Sequence, residues 1–165
     1  MMTGRFPFAQ NLSRWISGRA SDAKKADDKP AIDIWAYAES AGEESDPLKR
    51  NVLQWRRLIT SVREPLEIFP GQPVEVTGFV HRSFSNAPQQ FVLARRIIRC
   101  CLADTVPLGL AIYTDAADDY ESDTWLKVRG TFETVVVRNK PVLVVIPEQI
   151  EAIAEPQKAY INGVF

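Results

Sequence analysis

The chain has 165 residues, 45% of them hydrophobic and 25% charged, which is typical of one soluble globular domain and not of a disordered or fibrous chain. Its formal net charge of −1 argues against a nucleic-acid-binding protein that relies on a basic surface over the whole molecule. The only two cysteines are adjacent, which excludes a disulfide framework, and no apolar run is long enough to span a membrane. We therefore expect a soluble or peripheral membrane protein of the cytoplasm.

The N-terminal part of the sequence is predicted to be a flexible arm over residues 1–30. Its last ten residues, SDAKKADDKP, are small, charged and balanced in sign, which is typical of a solvated linker. A single domain is then expected over residues 31–165.

One amphipathic helix is predicted before the strands begin. Apolar residues recur at spacings of three or four and would form one face of a helix over about residues 50–62: Val52, Trp55, Leu58, Ile59 and Val62. Pro65 and the sequence FPGQP are expected to end this helix.

From Pro73 onward the apolar period is two, which predicts β-strands. In VEVTGFV and LKVRGTF, Gly78 and Gly130 each follow two core-facing residues, where a glycine lets a strand bend sharply. Further strands are predicted at about 90–101, 106–114 and 141–147, the last continuing to Ile153. The predicted fold is mainly β, an OB-like five-stranded barrel preceded by one helix.

The predicted second strand carries three arginines, Arg95, Arg96 and Arg99, in the sequence RRIIRCC. Guanidinium groups bind carboxylates and phosphates, so these arginines are candidate ligands for a small anion. The alternative is that they pair with the acidic stretch Asp115–Asp123, because a buried arginine requires a partner.

A metal site is the second candidate. Cys100 and Cys101, with Asp104 and His81, offer donors that suit zinc or copper(I). Neighbours in an extended strand point to opposite faces, however, and reach one ion only if a bulge intervenes. The alternative is that Cys100 fills space in the core and Cys101 is half-exposed.

Enzymatic activity is not expected, because the sequence holds one histidine and none of the common nucleophile, phosphate-loop or metalloprotease motifs. A thiol- or metal-dependent enzyme using Cys101 and His81 stays open. The other alternative is a single-stranded nucleic-acid-binding OB module, in which Phe79, Phe84 and Phe91 stack on bases, although Phe79 alone is expected to face outward.

The ordered strings NVLQWRRLI, PGQPVEVTGFVHRSF, FVLARRIIRCCLADTVPLGL and IEAIAEPQKAYI carry a family resemblance. Over about residues 50–162 the sequence resembles the YcgQ-like family of bacterial proteins, which are typically encoded beside a predicted permease. The resemblance implies an OB-like domain without enzymatic activity, with Cys100, Cys101 and Asp104 as a metal or thiol site. The family pattern begins with transmembrane helices, which this sequence lacks.

The expected function is therefore a non-catalytic accessory or binding module of a membrane permease. Its expected ligand is a soft metal or a small anion, and nucleic acid is the rival ligand.

Overall fold

The computed structural model describes residues 44–83 and 87–163, all of which lie in the unit Ala38–Phe165. The elements in chain order are α1 (Val52–Ser61), α2 (Pro65–Ile68), β1 (Pro73–His81), β2 (Gln90–Ile98), β3 (Thr105–Tyr113), a 3₁₀ turn (Ala117–Asp119), β4 (Trp125–Val137), β5 (Lys140–Ala152) and β6 (Tyr160–Asn162). The predicted arm over residues 1–30 lies outside the described residues. Within the described part, no helix is long and apolar enough to cross a membrane.

Helix α1 confirms the helix predicted over about residues 50–62. It begins with a capping box, in which the Asn51 side chain accepts from the Gln54 amide at 3.0 Å and the Gln54 side chain accepts from the Asn51 amide at 2.9 Å. Its apolar face is buried and packs against β3, β2 and β1. Helix α1 ends at Ser61, and Pro65 begins the short helix α2.

The strands close into the predicted five-stranded barrel. Their order is β1-β4-β5-β3-β2, and pairing of β1 with β2 closes the ring. Within this ring β3 and β5 pair in parallel, and the other four strand pairs are antiparallel. The barrel, together with the preceding helix, confirms the OB-like prediction. The short strand β6 was not predicted; it lies outside the ring and pairs in parallel with β2.

Gly130 is required by the close approach of a neighbouring strand. A register shift separates it from Arg129 in the β4–β5 ladder. A Cβ at Gly130 would lie 2.9 Å from the carbonyl carbon of Ile146 and from the Cα of Pro147. Gly130, which the sequence pattern placed on the core face, therefore allows the backbones of β4 and β5 to approach closely where the barrel bends.

The core at the helix end of the barrel is an aromatic cluster. Trp55, Phe69 and Phe132 are each at most 1% exposed, and the centroids of their rings lie 4.9 to 6.2 Å apart in edge-to-face arrangements. Arg50, itself 1% exposed, stacks on Trp55 at 4.9 Å and donates to the Glu44 and Ser45 carbonyls at 2.6 and 3.1 Å. The deeply buried arginine is thus one that the sequence analysis did not single out.

Two sequence predictions about β2 and β1 need correction. The predicted strand at 90–101 ends at Ile98, because the chain turns at Arg99 through Asp104. Phe79 lies on the opposite face of β1 from Val80, but only 4% of Phe79 is exposed, because Trp125 and Arg96 cover its ring. Phe79 therefore lies on the predicted outward face of β1, but its ring is covered and not open to solvent.

Candidate functional site

The three arginines of β2 and its following turn do not form one anion site, because each lies in a different environment. Arg95 contacts the C-terminal segment, Arg96 lines a cleft, and Arg99 borders an apolar depression with Ile97, Val106 and Leu108. The β1–β2 ladder ends at the pair Phe79–Ala94, so β2 diverges from β1 where the arginines begin.

Arg95 has a structural role. Its guanidinium donates to the carbonyls of Lys158 at 2.6 Å and Ala159 at 3.4 Å, and it stacks on Trp125 with its Cζ 5.4 Å from the ring centroid. Partial burial lowers the pKa of Arg95 from its ordinary value. These contacts hold the segment that leads into β6 against the barrel.

Arg96 lines a cleft of about 240 Å³ beside the barrel wall. Its guanidinium lies 5.1 Å from the Phe79 ring centroid, and within the described residues it forms no ion pair. The other residues that line the cleft are Phe79, Asp123, Trp125, Glu155, Ala159 and Tyr160. Most of these side chains were not proposed from the sequence, because they come from four separate segments that show no common motif.

The two cysteines lie together on the exposed turn after β2. This turn is closed by backbone hydrogen bonds from Asp104 N to Cys101 O at 2.9 Å and from Arg99 N to Asp104 O at 3.1 Å. The Cys100 Sγ lies 3.8 Å from the Cys101 Sγ, and the Cys100 thiol donates to Asp104 Oδ2 at 3.4 Å. Neighbouring residues in a strand point to opposite faces, but this does not separate the two thiols, because β2 ends at Ile98 before the cysteines. The alternative that Cys100 fills space in the core is wrong, because both thiols are free and exposed.

Asp104 affects the acidity of the Cys100 thiol. The hydrogen bond with Asp104, followed by that with Cys101, raises the pKa of Cys100 above its ordinary value. A carboxylate next to a thiol also disfavours the thiolate through charge repulsion, which acts in the same direction. The thiol is therefore protonated at neutral pH unless a cation replaces its proton.

His81 is not brought to the cysteines. It pairs with Val92 in the β1–β2 ladder, near the start of β2, whereas the cysteines follow the other end of that strand. Its ring instead makes an edge contact with Phe79 at 6.4 Å between centroids. Among the described residues, no three or more His, Cys, Asp or Glu side chains are arranged as a preformed metal site.

The acidic stretch Asp115–Asp123 contacts an arginine other than those of β2. Arg82 lies 3.6 Å from Asp118 in an ion pair and donates to the carbonyls of Ala117 and Tyr120, the latter at 2.8 Å. The acidic stretch therefore makes its ion pair with Arg82 and not, as the alternative predicted, with Arg95, Arg96 or Arg99.

The aromatic residues proposed to stack on nucleic-acid bases are not available for that purpose in the described part. Phe91 is fully buried and Phe79 is covered, while Phe84 lies outside the described residues. Among the aromatic residues that the structure describes, Tyr160 is 45% exposed and Trp125 is half-buried.

Comparison with known proteins gives a family and several structural likenesses. No curated protein matches the chain. The chain is similar to the dimeric N-terminal domain of the PriB protein from Thermoanaerobacter tencongensis, at 19% identity over 50% of this chain and 97% of that chain, with a TM-score of 0.31. That likeness is too low to support a statement about function. The DUF1980 C-terminal domain family matches residues 36–162, which is most of the chain and all of the barrel, and the chain belongs to this family.

Proposed function

We propose that this chain is a non-catalytic accessory module of a membrane permease and that it binds a soft metal ion at the turn after β2. The observation that carries the proposal is the convergence of two thiols and a carboxylate on an exposed turn, with Cys100 Sγ 3.8 Å from Cys101 Sγ and 3.4 Å from Asp104 Oδ2. Sulfur donors select soft ions such as copper(I) and also bind zinc.

Copper(I) fits this donor set better than zinc does. A structural zinc site takes four protein ligands, and the turn supplies Cys100, Cys101 and Asp104. A soft ion held by two thiolates needs fewer ligands. The turn is exposed on the surface, so a further ligand from a second protein can reach the ion, as transfer between a module and a permease would require.

The hydrogen bond between Cys100 and Asp104 gives the proposed site a pH dependence. Because the raised pKa keeps the Cys100 thiol protonated, a metal ion must displace that proton in order to bind. Once the proton has left, the Asp104 carboxylate is free to act as a ligand. Metal affinity is therefore expected to increase as the pH rises toward the pKa of Cys100.

The permease partner is supported by the family. The chain belongs to the DUF1980 C-terminal domain family, and its sequence resembles YcgQ-like proteins, which are typically encoded beside a predicted permease. The turn also carries Leu102, which is 69% exposed and follows Cys101 directly, and Val106, which is 36% exposed, lies in β3 just after the turn. Apolar side chains at an exposed turn provide contact area for a protein partner.

Metal binding tests the proposal. The full chain, reduced and kept without oxygen, is titrated with copper(I) and separately with zinc in the presence of a competing chelator. We expect stoichiometric copper(I) binding that is lost in Cys100→Ser and Cys101→Ser and weakened in Asp104→Asn. The matched control is Asp119→Asn, an exposed carboxylate of the acidic stretch. If the double serine variant binds both ions as the natural chain does, the proposed metal site is wrong.

The partner is tested separately by co-purification of the full chain with the permease that the resemblance leads us to expect beside its gene, from detergent-solubilised membranes. Co-purification that is reduced by Leu102→Asp supports the docking of this turn. Failure of the two proteins to associate, with or without copper(I), contradicts the accessory role.

A further inference from the structure

We propose that the cleft lined by Arg96, Asp123, Trp125, Glu155 and Tyr160 binds a small zwitterion that carries an aromatic ring, the chemistry of an aromatic amino acid. This cleft shares no residue with the turn that carries the cysteines. Its function does not depend on the proposed metal site.

The guanidinium of Arg96 lies over the aromatic floor of the cleft. Trp125 lies opposite Phe79 in the β1–β4 ladder, and their ring centroids are 5.6 Å apart. The Arg96 guanidinium lies over Phe79 at 5.1 Å. Stacking occupies the face of a guanidinium and leaves the N–H donors along its edge available to a carboxylate.

The cleft holds charges of both signs that do not neutralise one another directly. Asp123 and Glu155 line the same space as Arg96, yet within the described residues none of the three is in an ion pair. Asp123 is held in place by its backbone, which has a φ of 67° and donates from its amide to the Val80 carbonyl at 2.8 Å.

This distribution of charge selects a ligand that carries both signs. A carboxylate is attracted to Arg96, and an ammonium group is attracted to Asp123 and Glu155. A simple anion would meet two carboxylates, and a simple cation would meet the guanidinium, so each would lose part of its attraction. A zwitterion places each charge beside its opposite.

The second wall of the cleft is preorganised. The segment with Glu155 and Tyr160 is held by the Arg95 hydrogen bonds to Lys158 and Ala159, and Tyr160 pairs with Arg96 at the start of β6. A wall that is already ordered costs little conformational entropy when a ligand binds.

The size and the rings of the cleft define the rest of the ligand. A volume of about 240 Å³ is below the range of drug-sized pockets, so the ligand is of about the size of one amino acid. Tyr160 is 45% exposed and Trp125 is half-buried, so both can contact a planar apolar group.

A matched set of three ligands tests this proposal by calorimetry on the full chain: L-phenylalanine, 3-phenylpropanoate without the ammonium group, and phenethylamine without the carboxylate. We expect L-phenylalanine to bind and each single-charge analogue to bind about tenfold more weakly or not at all, since a hydrogen bond to a charged group is lost. Arg96→Gln and Glu155→Gln should each weaken L-phenylalanine binding by a similar factor.

Arg99→Gln is the matched control. Arg99 is also an exposed arginine and lies close to Arg96 in the sequence, but it borders a different depression. Trp125→Phe keeps an aromatic ring and should retain binding, and a thermal melt confirms that each variant folds. The proposal is overturned if L-phenylalanine does not bind. It is also overturned if 3-phenylpropanoate binds equally well.

Discussion

The thiol of Cys100 donates a hydrogen bond to the carboxylate of Asp104, with a distance of 3.4 Å between Sγ and Oδ2. Because this bond is the main cause of the raised pKa of Cys100, Asp104→Ala is expected to lower that pKa toward its ordinary value. The measurement is the rate of Cys100 alkylation by iodoacetamide as a function of pH, in a Cys101→Ser background. The midpoint should move to lower pH in Asp104→Ala and stay in place in the control Asp119→Asn.

The same bond sets the sign of the pH effect on folding. A thiol whose pKa is raised in the folded state stabilises that state below the pKa of the unfolded chain, and this contribution is lost as pH rises through the folded pKa. Because Cys100 is fully exposed, the alkylation profile is the informative measurement. An alkylation midpoint that does not differ between Asp104→Ala and the natural chain would contradict the assignment.

Gly130 should be intolerant of even one added carbon. A Cβ there would lie 2.9 Å from two backbone atoms of β5, and backbone cannot move aside as a flexible side chain can. We expect Gly130→Ala to lower the free energy of unfolding by about 1–3 kcal/mol, measured by urea denaturation. Val136→Ala, at a position 72% exposed on the same strand, is the control and should change stability by about 0.5 kcal/mol or less.

The helix cap makes an independent stability prediction. Asn51→Ala removes the side chain that accepts from the Gln54 amide at 3.0 Å, and should lower the free energy of unfolding by about 1 kcal/mol. Thr60→Ala is the control on the same helix, because Thr60 is exposed and bonds only to helix carbonyls. Equal effects of the two substitutions would show that the capping box does not stabilise α1.

Arg95→Met should loosen the C-terminal segment without unfolding the barrel. The substitution keeps an apolar chain near Trp125 but removes the donors to Lys158 and Ala159. We expect the Gly163 amide, which donates to Ile98 at 2.9 Å, to exchange its hydrogen about tenfold faster. Arg99→Met serves as the control. Unchanged exchange at Gly163 would mean that β6 is held by strand pairing alone.

The barrel could be predicted because the hydrophobic pattern of each strand, and of α1, lies within that one element. Alternation in VEVTGFV and LKVRGTF, and the spacing of three or four in α1, each arise within one element that buries one face. Strand β6 has three residues, too few to show a period, and its pairing with β2 depends on a contact across more than 60 positions of chain. No pattern of alternation could have revealed it.

The candidate site could be predicted only in part. The structure places the Cys100 thiol near Cys101 and Asp104, but the sequence RRIIRCC gives no sign that the strand ends at Ile98. The cleft was missed because Asp123, Glu155 and Tyr160 become neighbours only when the chain is folded. Arg50 was missed because burial of its charge depends on the Trp55 ring and on two carbonyls.

The last strand of the ring, β5, ends at Ala152, and residues 154–163 form none of the five ladders of the ring. This tail nevertheless brings Glu155 and Tyr160 to the outside of β2. Sequence changes in this tail can therefore change the ligand of the proposed cleft without changing the five strands of the barrel. Shortening the chain at Ala152 is therefore expected to keep the five strands of the ring and to remove Glu155 and Tyr160 from the proposed cleft.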